Sequence, residues 1–227
     1  MKVEIWSDLV CPWCGLANHR LDAALERFEH ADEIELVHRS FIMSPGLPGG
    51  EGISQRDLLR QVGKVGQAAE DYIRPIERLA KRDGLQPYVV MDRIMGNTQV
   101  VHEFFAYASD RGMNAEAWHK AFRDHCGVGR NLFDVDTVVA FAGELGFEAQ
   151  DVRSALETGT YRDRVRADHD AALLLGAQGV PFTVVNGRYG LAGAQEIDTF
   201  LQVITRAWAE EHPSEKRDIG TMACSRM

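Results

Sequence analysis

The sequence predicts an α/β protein whose strands lie only towards its two ends, with an all-helical insertion between them. Three observations carry this. Apolar and polar residues alternate over 2–7 and again over 33–41, the period of a half-buried strand. Helical spacing then runs from 53 to 176 with no strand pattern in it. Finally, Phe182-Thr183-Val184-Val185 is apolar and β-branched, and the Asn186-Gly187 behind it is a two-residue hairpin signal.

In the first segment Val3 and Ile5 alternate with Lys2 and Glu4, and the pattern breaks at Ser7-Asp8. Cys11-Pro12-Trp13-Cys14 follows. Leu16, Ala17, Leu21, Ala24, Leu25 and Phe28 then recur at helical spacing. Residues 12–29 therefore read as an amphipathic helix, with Pro12 in the first turn, where a missing N–H costs nothing. A second strand over 33–41 completes a β-α-β opening. The stretch Pro45 to Gly52 holds two of the chain's seven prolines and four glycines, so it reads as a loop and a domain seam. Beyond it Ser54 caps a helix through Leu58, Leu59 and Val62. Residues 67–82 form the next, with Pro75 inside as a possible kink point and Gly84 just past its end. Asn97 or Thr98 caps a helix carrying Val101, Phe104, Phe105 and Ala108. Asn114 caps one with Trp118 and Phe122, and Asp134 one with Val138, Ala142 and Leu145. Helices over 149–158 and 161–176 lead to the hairpin, where Tyr189 to Ala192 pairs back. A last helix, 195–211, carries Ile197, Phe200, Leu201, Ile204 and Trp208. The expected division is one domain split into 1–44 and 177–212, a helical insertion domain over 53–176 whose last helix leads back to the sheet, and a flexible tail over 213–227.

Charge narrows the partners. Lys and Arg number 25 against 34 Asp and Glu, a formal net charge of −9 in 227 residues. That balance leaves no global footprint for nucleic acid or an anionic membrane. No apolar run approaches the roughly 20 residues of a membrane-spanning helix. The opening MKVEIWSD alternates and carries one lysine, so it does not read as a signal-peptide core. Four cysteines are too few for a disulfide scaffold. The expected setting is cytoplasmic, where a close cysteine pair is catalytic, redox-sensing or metal-binding before it is structural.

Cys11-Pro12-Trp13-Cys14 is a C-x-x-C where a strand hands over to a helix. A cysteine at a helix N-terminus sees unpaired N–H groups and the positive dipole end, which favour its thiolate. A second cysteine one turn on can close a reversible disulfide and resolve a mixed-disulfide intermediate. A C-x-x-C is also half of a zinc site, but Cys126 and Cys224 stand alone and no second C-x-x-C or H-x3-H completes a quartet. No metal and no cofactor are expected. The second feature is Gly179-Val180-Pro181-Phe182, directly before the terminal hairpin. A turn proline is the plain reading; with the upstream cysteines, the sharper one is a cis-proline facing them, with the Val180 backbone offered to a substrate chain. Asp8, beside the active loop, is a candidate proton acceptor for the second cysteine, or simply a loop cap. Trp6 flanks the same loop, and Trp13 offers an aromatic face to substrates. His102, on the apolar side of its helix, reads as a buried structural histidine, and His169 carries no signal of its own. Cys126 reads as a reduced bystander thiol.

The CPWC opening, the helical insertion and the GVPF…GRY…LAGAQ ending resemble the DsbA-family thioredoxin-fold proteins, specifically the FrnE-like branch. The resemblance spans 2–210, with WSDLVCPWC, MGNTQVVHEF, GAQGVPFTVVNGRY and AGAQ its most specific stretches. It implies a thioredoxin-like domain interrupted by the helical insertion, with Cys11 attacking, Cys14 resolving and Pro181 the cis-proline. FrnE-like proteins often end with a further cysteine pair; this tail has only Cys224. The leading function is a dithiol–disulfide oxidoreductase acting on protein thiols or disulfides, or on glutathione. Two other readings stand beside it. One is a glutathione-dependent enzyme of the kappa-transferase or 2-hydroxychromene-2-carboxylate isomerase type, which needs no resolving thiol. The other is a non-catalytic, peptide-binding module with CPWC as a redox switch.

Overall fold

The computed structural model describes residues 1–213. The chain opens with β1 (Lys2–Ser7), α1 (Pro12–Glu26) and β2 (Glu35–Ser40). The middle runs through β3 (Ile53–Ser54), α2 (Gln55–Gln61), α3 (Gln67–Arg82), β4 (Ile94–Met95), α4 (Gln99–Ser109), α5 (Asn114–Phe122), α6 (Val135–Glu144), α7 (Ala149–Thr158) and α8 (Arg162–Leu174). It closes with β5 (Phe182–Val185), β6 (Tyr189–Ala192) and α9 (Ile197–Glu211). The strands near the two ends form one sheet in the order β2-β1-β5-β6. β1 pairs parallel with β2, and antiparallel with β5 through Val3–Val185 and Trp6–Phe182. A β-α-β start and a β-β end thus share one sheet, and the helical stretch leaves and rejoins it.

Strand alternation sorts the two faces. Val3, Ile5 and Val185 pack with Ala17, Leu21, Phe200, Ile204 and Trp208, so α1 and α9 cover one side. Trp6, Phe182 and Val184 point the other way, onto Phe41, Ala172 and Ala177, where α8 lies. Each large apolar side chain buried in such a layer contributes roughly 1.5–3 kcal/mol. The helical stretch has its own core, in which Phe104, Phe105, Trp118 and Phe141 are buried and Phe105 stacks on Trp118 with centroids 3.9 Å apart.

Two polar clamps join the layers. Asn114 accepts from the His38 N–H (2.9 Å) and donates to the His38 carbonyl (3.2 Å), satisfying the outer edge of β2. Arg20, buried on α1, pairs with Asp83 at 2.6 Å and donates to the carbonyl of Ala194 at 2.7 Å and to Glu196 at 3.1 Å. It binds α1 both to the end of α3 and to the start of α9.

The structure departs from the sequence reading in several places. The middle is not wholly helical: Ile53 and Ser54 pair with Met95 and Ile94 in a two-residue ladder, too short to show as alternation. Ser54 and Asp134 do cap their helices, accepting from the N–H groups of Asp57 and Thr137. Asn114 does not, because its amide is engaged by β2; it is the first residue of α5. Asn186 and Gly187 take the positive φ values expected of them, 52° and 63°. The turn is nevertheless one residue longer, since Val185 pairs with Tyr189. The expectations for the tail and for Cys224 lie outside the described residues.

Candidate active site

β1 ends at Ser7 and the chain turns through Asp8-Leu9-Val10, with the Cys11 N–H donating to the Asp8 carbonyl at 3.1 Å. Cys11 is the N-cap of α1 and Pro12 its first residue, so the missing proline N–H falls where no helical partner exists. The backbone N–H groups of Trp13 and Cys14 lie at this end of the helix, and that of Cys14 donates to the Cys11 carbonyl at 3.0 Å. Cys14 lies one turn further on, and both cysteines are free thiols.

Their environments push the two thiols apart. Hydrogen bonding from Cys14 holds Cys11 below the ordinary thiol range against its burial, helped by the two N–H groups and opposed by the Asp8 charge. Burial drives Cys14 well above that range, reinforced by its hydrogen bond to Cys11 and the charge there. One sulfur is poised as a nucleophile, and the other is held protonated beside it.

Cys11 is not open to solvent, as the helix-end position suggests it should be; only 2% of it is exposed. Its sulfur lies 3.6 Å from the carbonyl of Val180, so the loop before β5 closes over it. Tyr88, from the helical side, donates to the carbonyl of Pro12. Cys14 is fully buried, and Trp13 remains 44% exposed at the surface of the loop. The Val180–Pro181 peptide is cis.

Asp8 is completely buried and does more than cap the loop. Its carboxylate accepts from the N–H of Met43 at 2.7 Å and of Val10 at 3.3 Å, and lies 3.4 Å from Nε2 of His102. His102 is itself buried against Trp118 and Phe105. Trp6 anchors the loop from below, its indole N–H donating to the Asp168 carbonyl on α8 at 2.7 Å. His169 stacks on Phe41, away from the cysteines.

Sequence reasoning missed what lies behind the loop. Tyr88, Arg93 and Cys126 come from the segment between α3 and α4 and from a π-helical turn, Arg123–Gly127, that follows α5. Cys126 shares one apolar cluster with Cys11, Cys14 and Tyr88, so it is free but not remote. One readable signal existed. Gly15 sits in the first turns of α1, where glycine costs about 1 kcal/mol relative to alanine and so marks a close approach. A Cβ there would lie 2.5 Å from the Tyr88 hydroxyl.

A four-stranded sheet flanked by helices, with a C-x-x-C at the first strand–helix junction opposite a cis-proline, defines a thioredoxin-like dithiol protein. The chain belongs to the DSBA-like thioredoxin domain family, which it matches over residues 2–205. It is similar to a probable DsbA oxidoreductase from Streptomyces coelicolor, at 36% identity and a TM-score of 0.84 over 92% of this chain and 91% of that one. A 2-hydroxychromene-2-carboxylate isomerase shares the fold at 18% identity and a TM-score of 0.69, over 94% of this chain and 98% of that one. So does the cytosolic disulfide reductase DsbM of Pseudomonas aeruginosa, solved with GSH, at 16% identity and a TM-score of 0.61 over 95% and 100%. Among the described residues, no helix is long and apolar enough to cross a membrane.

Proposed function

We propose that the protein is a thiol–disulfide oxidoreductase of the FrnE-like branch, cycling Cys11 and Cys14 between dithiol and disulfide. The observation that carries this is the geometry of the pair: Cys11 caps α1 as a free thiol, Cys14 follows one turn on, and the Val180 carbonyl beside the cis Pro181 lies 3.6 Å from the Cys11 sulfur. In the reducing direction the Cys11 thiolate attacks one sulfur of a substrate disulfide, forming a mixed disulfide and expelling the first substrate thiolate. Cys14 gives up its proton, attacks the Cys11 sulfur and expels the second. Two electrons pass to the substrate and the Cys11–Cys14 disulfide forms. The oxidising direction is the same path reversed.

Each site residue has a part in this reading. Asp8 receives the Cys14 proton, and its charge keeps that thiol protonated until Cys11 has reacted. Pro12 and Trp13 set the loop between the sulfurs, with Trp13 as the exposed contact for an incoming chain. Val180, next to Pro181, presents its backbone to an extended substrate segment, a short strand addition that demands little of the sequence. Protein disulfides and glutathione are the expected substrates, in a cytoplasmic setting, on a thioredoxin-like domain of 1–44 and 177–212 with the helical domain of 53–176 over its active loop. The likeness to an isomerase structure gives the glutathione-dependent reading a footing, but that chemistry leaves Cys14 without work.

The experiment is a redox titration against glutathione, followed by turnover with insulin and with a reduced test protein. A two-electron couple lost in Cys11→Ser, together with mixed disulfides accumulating in Cys14→Ser, is expected. A couple near about −120 mV makes the protein an oxidant, and one near about −270 mV a reductant. Full turnover in Cys14→Ser sinks the dithiol reading and favours the glutathione-dependent one.

A further inference from the structure

Two peptide units next to Cys11 have their carbonyls held by side chains from the helical side. The Val10–Cys11 unit gives its N–H to the Asp8 carbonyl at 3.1 Å, and its carbonyl accepts from Nη2 of Arg93 at 2.5 Å. The carbonyl of the Pro12–Trp13 unit accepts from the Tyr88 hydroxyl, and its N–H is one of the unpaired donors at the start of α1, where Cys11 is the N-cap. A peptide is planar and its N–H and C=O point opposite ways, so whatever holds the carbonyl aims the N–H. A hydrogen bond on the carbonyl also polarises the amide and strengthens its donation at the other end.

The two side chains that do this meet. Nη1 of Arg93 donates to the sulfur of Cys126 at 3.3 Å, and that thiol and Tyr88 lie in one buried cluster. Burial keeps both protonated. Arg93 on Val10 and Tyr88 on Pro12 thus hold the two carbonyls, and the Cys126 sulfur takes the other end of the Arg93 guanidinium. Arg93 is 2% exposed and makes no ion pair among the described residues, so the Val10 carbonyl and Cys126 are its partners. Gly15 is part of the device, because any side chain there would push Tyr88 off Pro12.

We propose that Tyr88, Arg93 and Cys126 are positioning residues for Cys11, Tyr88 and Arg93 holding the carbonyls of Pro12 and Val10 away from its sulfur at the start of α1 and Cys126 holding Arg93. The proposal rests on Cys11 being the reactive thiol of the dithiol reading and adds what sets its reactivity. Cys11 is faced by Cys14 on α1, by Asp8 in the loop with His102 behind it, and by Tyr88, Arg93 and Cys126 from the helical side.

The test is the pH profile of alkylation of the reduced, full-length protein by iodoacetamide, read by mass spectrometry on the peptide carrying Cys11. Tyr88→Phe and Cys126→Ala are expected to raise the midpoint by about half a unit to one unit, slowing alkylation roughly three- to tenfold below it. Cys126→Ser, which can still accept from Arg93, keeps the wild-type midpoint. Gly15→Ala reproduces Tyr88→Phe by displacing the same hydroxyl. An unmoved midpoint in both Tyr88→Phe and Cys126→Ala overturns the proposal, whatever their melting temperatures do. A shift in Tyr88→Phe alone removes Cys126 from it, and a Cys126→Ser as perturbed as Cys126→Ala shows that volume is what matters, which also overturns it. Should Tyr88→Phe fail to fold, the Cys126 pair decides. The readout needs no disulfide turnover, so wild-type protein that alkylates as expected but never exchanges disulfides refutes the oxidoreductase reading alone.

Discussion

Lowering the pH from 7 to 5 charges histidines in the unfolded chain that the fold keeps neutral. His38 on β2 and His125 in the π turn are buried, at 3% and 0% exposure. Burial pushes His38 down to about 4, with His119 adding to the effect against a weaker pull from Asp22. Burial likewise pushes His125 down to about 3, with the Arg93 charge adding to it. A group whose folded pKa is depressed lets the unfolded state bind the proton first, so stability falls as pH drops below the unfolded value near 6.5 and goes on falling to the folded one. The slope is about 1.4 kcal/mol per pH unit for each group. At pH 5 each histidine therefore costs roughly 2 kcal/mol relative to pH 7. His119, raised by its hydrogen bond to Asp22, works the other way, and so does Asp168, raised by burial. A comparison of variants isolates one group from that background. Neither ring nitrogen of His38 has a partner, and its clamp to Asn114 is made by backbone, so His38→Leu leaves the fold's hydrogen bonds in place. Urea unfolding at pH 7 and pH 5 is expected to show an acid loss smaller by roughly 2 kcal/mol in His38→Leu than in the wild type. An equal loss in the two proteins refutes the reasoning, because His38 would then titrate alike folded and unfolded.

Two further substitutions test the clamp and the loop. Arg20→Met takes from Asp83 the buried one of its two arginine partners; burial raises this carboxylate, and Arg82 and Arg20 together hold it below its usual range. Removing one partner of so buried a pair is expected to cost about 3–5 kcal/mol in urea unfolding, and a loss under about 1 kcal/mol contradicts the assignment. Asp8→Asn removes a charge that raises both thiols, so the Cys11 alkylation midpoint is expected to fall. Because the carboxylate also takes the Cys14 proton in the proposed cycle, release of mixed disulfides slows in the same variant. A lower midpoint with unimpaired release leaves Asp8 an electrostatic neighbour and not a proton acceptor.

Much of the fold was legible because it rests on local periodicity. Val3 and Ile5 alternate because one face of β1 lies on α1 and α9, and the same alternation puts Trp6 on the other face against α8. The C-x-x-C was placed at the right junction because a proline at a helix start and a strand that stops at Ser7 are both written in consecutive residues. The β3–β4 ladder was invisible because two residues make no pattern. Asn114 shows the harder failure: its sequence position reads as a cap, and only a strand 76 residues earlier redirects its amide.

The site divides along the same line. The thiolate tendency of Cys11 was readable since it comes from the Cys14 side chain and then from the backbone two and three residues on, whereas its burial was not. That burial comes from Val180 and from a tyrosine in an irregular segment, both brought in by closure of the chain on itself. Those distant contacts also make two demands on Cys11 compatible. Burying a thiolate costs free energy, and under the proposal the start of α1, with its neighbouring carbonyls held aside by Tyr88 and Arg93, offsets that cost. A sulfur only 2% exposed is protected from small oxidants in free diffusion. In the proposed cycle it remains reactive towards a disulfide that is carried in by a chain pairing with the Val180 backbone. The shielding therefore selects for substrates that bind before they react, and an open helix-end thiolate with the same pKa has no such filter.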